Sequence, residues 1–96
     1  MSRPPEPTDE RPSQTYRSSD RYRAGAQALG ARIRQLRHER GLSLYQTAER
    51  MQIELSYLHR LESGKLNVTL ATLMRAADGL GVAVGELFVG DAFAVR

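Results

Sequence analysis

The sequence contains no cysteine and no tryptophan, and only 6% of its 96 residues are aromatic. Without cysteine, neither disulfide bonds nor thiolate metal sites can form. The two histidines, His38 and His59, lie far apart in the chain, which argues against a zinc site. We therefore expect a single small domain with an aliphatic core and with no cofactor or bound metal.

Long hydrophobic runs are also missing. No apolar stretch approaches the roughly 20 residues that a helix needs to cross a membrane. The N-terminus lacks the apolar segment of a secretory signal. These absences predict a cytoplasmic protein with no membrane partner.

Basic residues modestly outnumber acidic ones. Fourteen Lys and Arg residues face eleven Asp and Glu residues, for a formal net charge of +3. This balance is compatible with binding nucleic acid, but it does not establish such binding.

The first 24 residues contain all four prolines and few large apolar side chains. Such a composition cannot bury enough surface to offset the entropy of ordering, so residues 1–24 are predicted to be a disordered arm. The arm either contacts DNA phosphates or only aids solubility, and the candidate contacts are Arg17, Arg21 and Arg23. A folded domain over 25–90 and a C-terminal tail over 91–96 are expected to follow.

Apolar residues recur at helical spacing after the arm and predict five short helices, at about 26–40, 44–51, 55–62, 70–79 and 84–89. Gly41 is typical of the residue that follows a helix, and Ser43 with Gln46 forms a capping-box pattern. Helices this short can bury their apolar stripes only by packing into a compact orthogonal cluster. The predicted fold class is all-α.

Three stretches carry a family resemblance: "LGARIRQLRHERGLSLYQTAERM", "YLHRLESGK" and "LATLMRAADGLGVAVGELF". Over residues 29–88 the chain resembles the lambda-repressor/Cro type of helix-turn-helix domain, the XRE family. The run "LNVTLATL" is also similar to restriction-modification controller proteins, which are homodimers of this fold. The resemblance implies a five-helix lambda-repressor-like domain and a sequence-specific DNA-binding transcriptional regulator, either a repressor or an autoregulator.

The resemblance further implies that helix 55–62 enters the major groove of double-stranded DNA. Its outward residues are the candidates for base contact: Leu55, Ser56, Tyr57, His59 and Arg60. Arg60 suits a bidentate contact with guanine. Two alternatives stay open, namely that Tyr57 covers the edge of the core and that His59 is simply solvated.

Phosphate contacts are expected on either side of that helix. The N-terminus of helix 44–51 presents free backbone N–H groups, and a second clamp follows helix 55–62. The candidates are Ser43, Tyr45, Gln46, Lys65 and Asn67. Contacts of this kind position a protein without reading the base sequence.

An ion pair between Arg37 and Glu62 is implied by the family pattern, with separate solvation of the two groups as the alternative. The chain departs from the pattern at several positions. Leu44 stands where glutamine is common, Gln52 stands at a turn position often held by glycine, and Glu54 precedes helix 55–62 where serine or threonine usually caps it.

The C-terminal region is rich in apolar side chains, which predicts a homodimer on a palindromic operator. The proposed interface residues are Val84, Leu87, Phe88, Phe93 and Val95. The alternative is that these side chains close the core over the first and fourth helices.

A second class of function stays open: a protein-interaction module of the same fold, such as an antitoxin or an adaptor, with weak or no DNA binding. Glu54 and Leu55 favour it, because both are unusual beside DNA. No Ser-His-Asp set, metal cluster or phosphate-cradling loop is evident, so we do not expect an enzyme. We also expect no small-molecule effector, because no separate sensor domain is evident.

Overall fold

The computed structural model describes Tyr16 and residues 19–94. Within that part the chain is helical and contains no strand. The α-helices are α1 (Asp20–Glu39), α2 (Leu44–Met51), α3 (Leu55–Glu62) and α4 (Leu70–Leu80), and two 3-10 turns follow at Val84–Leu87 and Asp91–Phe93. The all-helical prediction is confirmed.

The count of five helices is not confirmed, because the predicted fifth helix over 84–89 is a single 3-10 turn. Phe88 leaves the helical region with φ −116° and ψ 80°. The segment holds Gly85 and is followed by Gly90, whose φ is +101°. Glycine destabilises helix interiors, and so short a segment does not recover the cost of starting an α-helix.

The first helix starts earlier than the sequence analysis predicted. Ser19 caps α1, because its side chain accepts a hydrogen bond from the backbone N–H of Tyr22 at 3.2 Å. Asp20 places a negative charge in the first turn, where the helix dipole favours it. Residues 20–24 therefore belong to α1 and not to the predicted arm. The rest of the arm, apart from Tyr16 and Ser19, lies outside the described residues.

The core is aliphatic, as expected. It combines side chains from all four helices and from the first 3-10 turn: Leu29, Ile33, Leu36, Ala48, Met51, Leu58, Leu61, Ala76, Ala77, Leu80 and Leu87. Gly30 lets α1 approach the end of α3, since a Cβ atom there would lie 2.5 Å from the carbonyl oxygens of Leu61 and Glu62. This close crossing holds α3 in a fixed position on α1.

The connection between α2 and α3 is a tight three-residue turn. Gln52 adopts the left-handed conformation, with φ 59° and ψ 45°. Its position is where the family often has glycine, and a residue with a Cβ atom adopts this conformation at a cost. The turn joins α2 directly to α3, and the two helices form a helix-turn-helix unit.

The prediction that no segment crosses a membrane can be compared with the length and the apolar character of the helices. No helix in the described part of the chain has both the length and the apolar character required for a membrane span.

Candidate nucleic-acid interface

The two faces of α3 differ sharply. One face carries Leu58, Leu61 and Glu62, which are buried. The other face exposes Leu55 (46% exposed), Ser56, His59 and Arg60. These positions follow the i, i+1, i+4, i+5 spacing of one helical surface. An eight-residue helix with one free face has the diameter and length to enter the major groove, which is about 12 Å wide.

The N-terminus of α2 lies next to this exposed face. The two helices line one concave surface, to which α2 contributes Leu44 and Tyr45 with the preceding Ser43, and α3 contributes Leu55, Ser56, His59 and Arg60. Tyr45 is 65% exposed at its rim. The structure therefore brings two of the three predicted phosphate contacts of α2 beside four of the five predicted base contacts.

The start of α2 is held by a complete capping box. The Ser43 hydroxyl accepts from the Gln46 backbone N–H at 3.0 Å, and Gln46 Oε1 accepts from the Ser43 backbone N–H at 2.9 Å. Both oxygens are thus used in capping. The Gln46 side-chain NH₂ group remains available as a donor, and donors are what a phosphate requires.

Tyr57 is the predicted base contact that does not line the concave surface between α2 and α3. It is half-buried, and its hydroxyl lies 3.4 Å from the Thr72 hydroxyl on α4. It lines a second groove, which it shares with Arg60 of α3 and Arg75 of α4. This placement agrees with the alternative in which Tyr57 covers the edge of the core.

Arg75 is a candidate site residue that the sequence analysis missed. It is exposed on α4, lines the same groove as Arg60, and its Nη1 lies 3.5 Å from the Gln52 carbonyl oxygen. The signal available in the sequence was an arginine on the polar face of helix 70–79. That signal was weak, because nothing local indicates which surface of α4 faces α3.

The second predicted phosphate clamp follows α3 directly. Gly64, with φ +73°, ends the helix in the left-handed conformation, and the Lys65 backbone N–H donates to the Arg60 carbonyl at 3.0 Å. Lys65 and Asn67 are both exposed. The Asn67 side chain is already in contact with α1, because Tyr22 donates its hydroxyl proton to Asn67 Oδ1 at 3.1 Å.

Arg37 and Glu62 form the predicted ion pair. Arg37 Nε donates to Glu62 Oε2 at 2.8 Å, and Arg37 Nη2 donates to Glu62 Oε1 at 3.1 Å. Arg37 Nη1 also donates to the Leu42 carbonyl oxygen at 3.0 Å. Both residues are buried, and the bidentate geometry lets each charge satisfy the other. The pair fixes the end of α3 against α1.

Glu54 makes no capping hydrogen bond with its side chain at the start of α3. It is exposed beside the helix face that carries Leu55 and Ser56. A negative charge is therefore present near the proposed DNA surface, as the departure from the family pattern suggested.

The residues predicted to form the homodimer interface differ in how deeply they are buried. Leu87 has no exposed surface and belongs to the core, because the 3-10 turn folds it beneath α1 and α4. The prediction that Leu87 lies at the homodimer interface is therefore wrong. Val84, Phe88 and Phe93 are half-buried, and the two phenylalanine rings meet edge to face with centroids 5.2 Å apart. Val95 lies outside the described residues.

Two of the three arginines that were candidate phosphate contacts of the arm belong to α1. Arg21 and Arg23 lie in the first turn of α1, where Arg21 donates to the Ala94 carbonyl and Arg23 pairs with Asp20 at 2.7 Å. Arg17 lies outside the described residues.

Among the residues that the structure describes, no group of three or more His, Cys, Asp or Glu side chains is placed to hold a metal ion.

A capped two-turn helix, a tight turn and a second helix with one free face define a helix-turn-helix protein. Residues 28–87 match the family model described as a helix-turn-helix domain, and the chain belongs to this family.

Its relatives include regulators and a solved controller protein. The chain is 44% identical over 65 residues to the HTH-type transcriptional regulator DdrOP3 of Deinococcus deserti, a match covering 68% of this chain. It is 41% identical over 54 residues, or 56% of this chain, to the HTH-type transcriptional regulator RamB of Mycobacterium tuberculosis. The match covers half of DdrOP3 but only 11% of RamB.

Among solved structures, the chain is similar to the restriction-modification controller protein C.AhdI from Aeromonas hydrophila. The TM-score is 0.66 at 34% identity, and the match covers 68% of this chain and 98% of C.AhdI. Nearly all of that small protein therefore has a structural counterpart here.

Proposed function

We propose that the chain is a sequence-specific DNA-binding transcriptional regulator, a repressor or autoregulator, that reads the major groove with α3. The observation that carries the proposal is the exposed face of α3 next to the N-terminus of α2, on a helix whose other face is buried. The names of its relatives, which include two HTH-type transcriptional regulators and a controller protein, support the same function. Such a regulator would work in the cytoplasm.

Base reading is assigned to the exposed face of α3. Arg60 donates two hydrogen bonds to guanine O6 and N7, a pairing worth about 1–3 kcal/mol of discrimination. Leu55 contacts a thymine methyl group, and Ser56 and His59 contact neighbouring base edges. Tyr57 has a lesser role, because its hydroxyl already lies near Thr72.

Phosphate contacts are assigned to the two ends of the helix-turn-helix unit. The first is the N-terminus of α2, where backbone N–H groups and the helix dipole attract an anion beside Ser43, Tyr45 and Gln46. The second is the segment that contains Lys65 and Asn67. With one clamp on each side of α3, the helix is held in register along the groove.

A homodimer on a palindromic operator completes the proposal. Val84, Phe88 and Phe93 are only half-buried, and the adjacent Val89 is 46% exposed. A second copy of the chain would cover these side chains and bring two recognition helices to successive major grooves. Light scattering should report twice the mass of the 10.7 kDa chain, and a single-chain mass at high concentration would contradict the dimer.

The alternative function is a protein-interaction module that does not bind DNA. Glu54 favours it, because its exposed carboxylate would repel DNA phosphates beside the recognition helix. The exposed Leu55 favours it as well, since an apolar side chain suits a protein partner.

One experiment separates the two functions. Duplexes bound by the full chain are selected from a random pool and then titrated at increasing salt. A DNA-binding regulator enriches one sequence, and the logarithm of its affinity falls linearly as the logarithm of the salt concentration rises. Failure to retain any duplex at low salt would reject the regulator and favour the interaction module.

A further inference from the structure

The start of α1 contacts the proposed phosphate clamp, although it lies outside the family match over 28–87. We call residues 20–27 the α1 extension. The Tyr22 hydroxyl lies 3.1 Å from Asn67 Oδ1 and 3.3 Å from the Leu66 carbonyl oxygen. These bonds join residues that are 45 and 44 positions apart in the chain.

The α1 extension contacts the C-terminal 3-10 turn at two points. Arg21 Nη2 donates to the Ala94 carbonyl at 3.1 Å, which ties the first turn of α1 to the C-terminal 3-10 turn. The Phe93 ring lies beside Gly25, where an added Cβ atom would be 3.6 Å from the ring. Tyr22 therefore lies on a stretch of helix that contacts the C-terminal turn on both sides of it in the sequence, through Arg21 and Gly25.

The backbone before Asn67 is also fixed on α1. A Cβ atom at Gly64 would lie 2.9 Å from the Cα atom of Gln27, so this segment runs directly against the helix. Lys65 is anchored by its backbone bond to Arg60. What the backbone does not settle is which end of the exposed Asn67 amide faces outward.

That choice decides whether Asn67 can bind a phosphate. An asparagine amide has an oxygen that accepts and an NH₂ group that donates, whereas a DNA phosphate oxygen only accepts. The Tyr22 hydroxyl has one proton and two acceptors within reach, Asn67 Oδ1 at 3.1 Å and the Leu66 carbonyl oxygen at 3.3 Å. With the proton on the shorter contact to Oδ1, the oxygen end of the amide is held against α1 and the Nδ2 donors are free for the outer surface.

We infer that Tyr22 is a positioning residue for DNA binding: its hydroxyl orients the Asn67 amide so that Nδ2 donates to a backbone phosphate. The inference rests on the proposed function, since it assigns a role within the same DNA surface. It extends that surface to a part of the chain beyond the matched family region.

The test is a double-mutant cycle with Tyr22→Phe, Asn67→Ala and the combined variant. Phenylalanine keeps the ring and removes only the hydroxyl. Tyr22→Phe should weaken binding to the selected duplex about 3- to 10-fold, the range expected for one hydrogen bond. Binding to an unrelated duplex should weaken by the same factor, because phosphate contacts do not read sequence. The combined variant should bind as Asn67→Ala does, because Tyr22 acts only through Asn67.

Ser63→Ala is the matched control. Its hydroxyl donates to the His59 carbonyl at 2.8 Å in the same segment, but it does not bond to Asn67. This variant loses one hydrogen bond and should keep the wild-type affinity for DNA within about twofold.

Two results would overturn the inference. One is an equal loss from Tyr22→Phe in the wild-type and Asn67→Ala backgrounds, which would indicate a merely structural role. The other is wild-type affinity in either single variant. Both would leave the proposed function standing, because that depends on whether the unaltered chain binds the selected duplex.

Discussion

The two ends of α3 have opposite chemistry. The C-terminal end is buried and locked, with Glu62 paired to Arg37 over distances of 2.8 and 3.1 Å. The N-terminal end is exposed, and its cap residue Glu54 makes no side-chain hydrogen bond. One short helix therefore separates two tasks. Its C-terminal end stabilises the domain, while its start and outer face are exposed and carry the residues proposed to read DNA.

The largest expected effect is at the buried end. Glu62→Ala leaves the Arg37 guanidinium buried without its carboxylate, which should lower the free energy of unfolding by about 3–5 kcal/mol. Urea denaturation followed by circular dichroism measures this change. Glu49→Ala, an exposed carboxylate on α2, is the control and should change stability by no more than about 0.5 kcal/mol. Equal losses in the two variants would show that the buried pair of Glu62 with Arg37 does not stabilise the domain more than an exposed carboxylate does.

The next effect concerns DNA and not stability. Arg60→Ala should reduce discrimination at one base pair of the selected site by about 1–3 kcal/mol, because it removes a bidentate contact. The unfolding free energy should stay within about 0.5 kcal/mol of wild type, since Arg60 is exposed. Binding to a panel of single-base variants of the site measures this change. An unchanged preference at every position would remove Arg60 from base reading.

A smaller effect is expected at the exposed N-terminal end. Glu54→Ser supplies a hydroxyl that can cap α3 and should stabilise the domain by about 0.5–1 kcal/mol. It also removes a negative charge, so affinity for DNA should rise. Glu54→Gln separates the two effects, since it removes the charge without supplying a good cap. Thermal unfolding measures the gain in stability and DNA titration measures the gain in affinity, and both are run on the two variants.

The smallest expected effect is at Lys65, which follows the buried end. Lys65→Ala should weaken binding to all duplexes alike and reduce the slope of log affinity against log salt by about one. Titrations at four or more salt concentrations, with selected and unrelated duplexes, measure the slope. A loss confined to the selected duplex would assign Lys65 to base reading and not to a phosphate.

The local features of the fold were predictable because they depend on neighbouring residues. The spacing of Ser43 and Gln46 predicted the capping box that starts α2. Gln52 stands at a turn position often held by glycine, and it adopts the left-handed conformation that glycine reaches most easily. Ser19 with Asp20 carried the same kind of signal for α1, but the prolines and charges before it led the sequence analysis to extend the arm too far.

Caps and helical periodicity act within a few residues, so the amino-acid sequence was enough to predict the four α-helices, apart from the start of α1, together with their apolar faces and most of the exposed surface of α3. Which distant groups meet could be seen only in the folded chain. It buried Leu87 beneath α1 and α4, placed Arg75 beside Arg60, and brought Tyr22 to Asn67. Such contacts depend on how the helices cross, and the crossing is set by the packing of the whole core, including the close approach at Gly30.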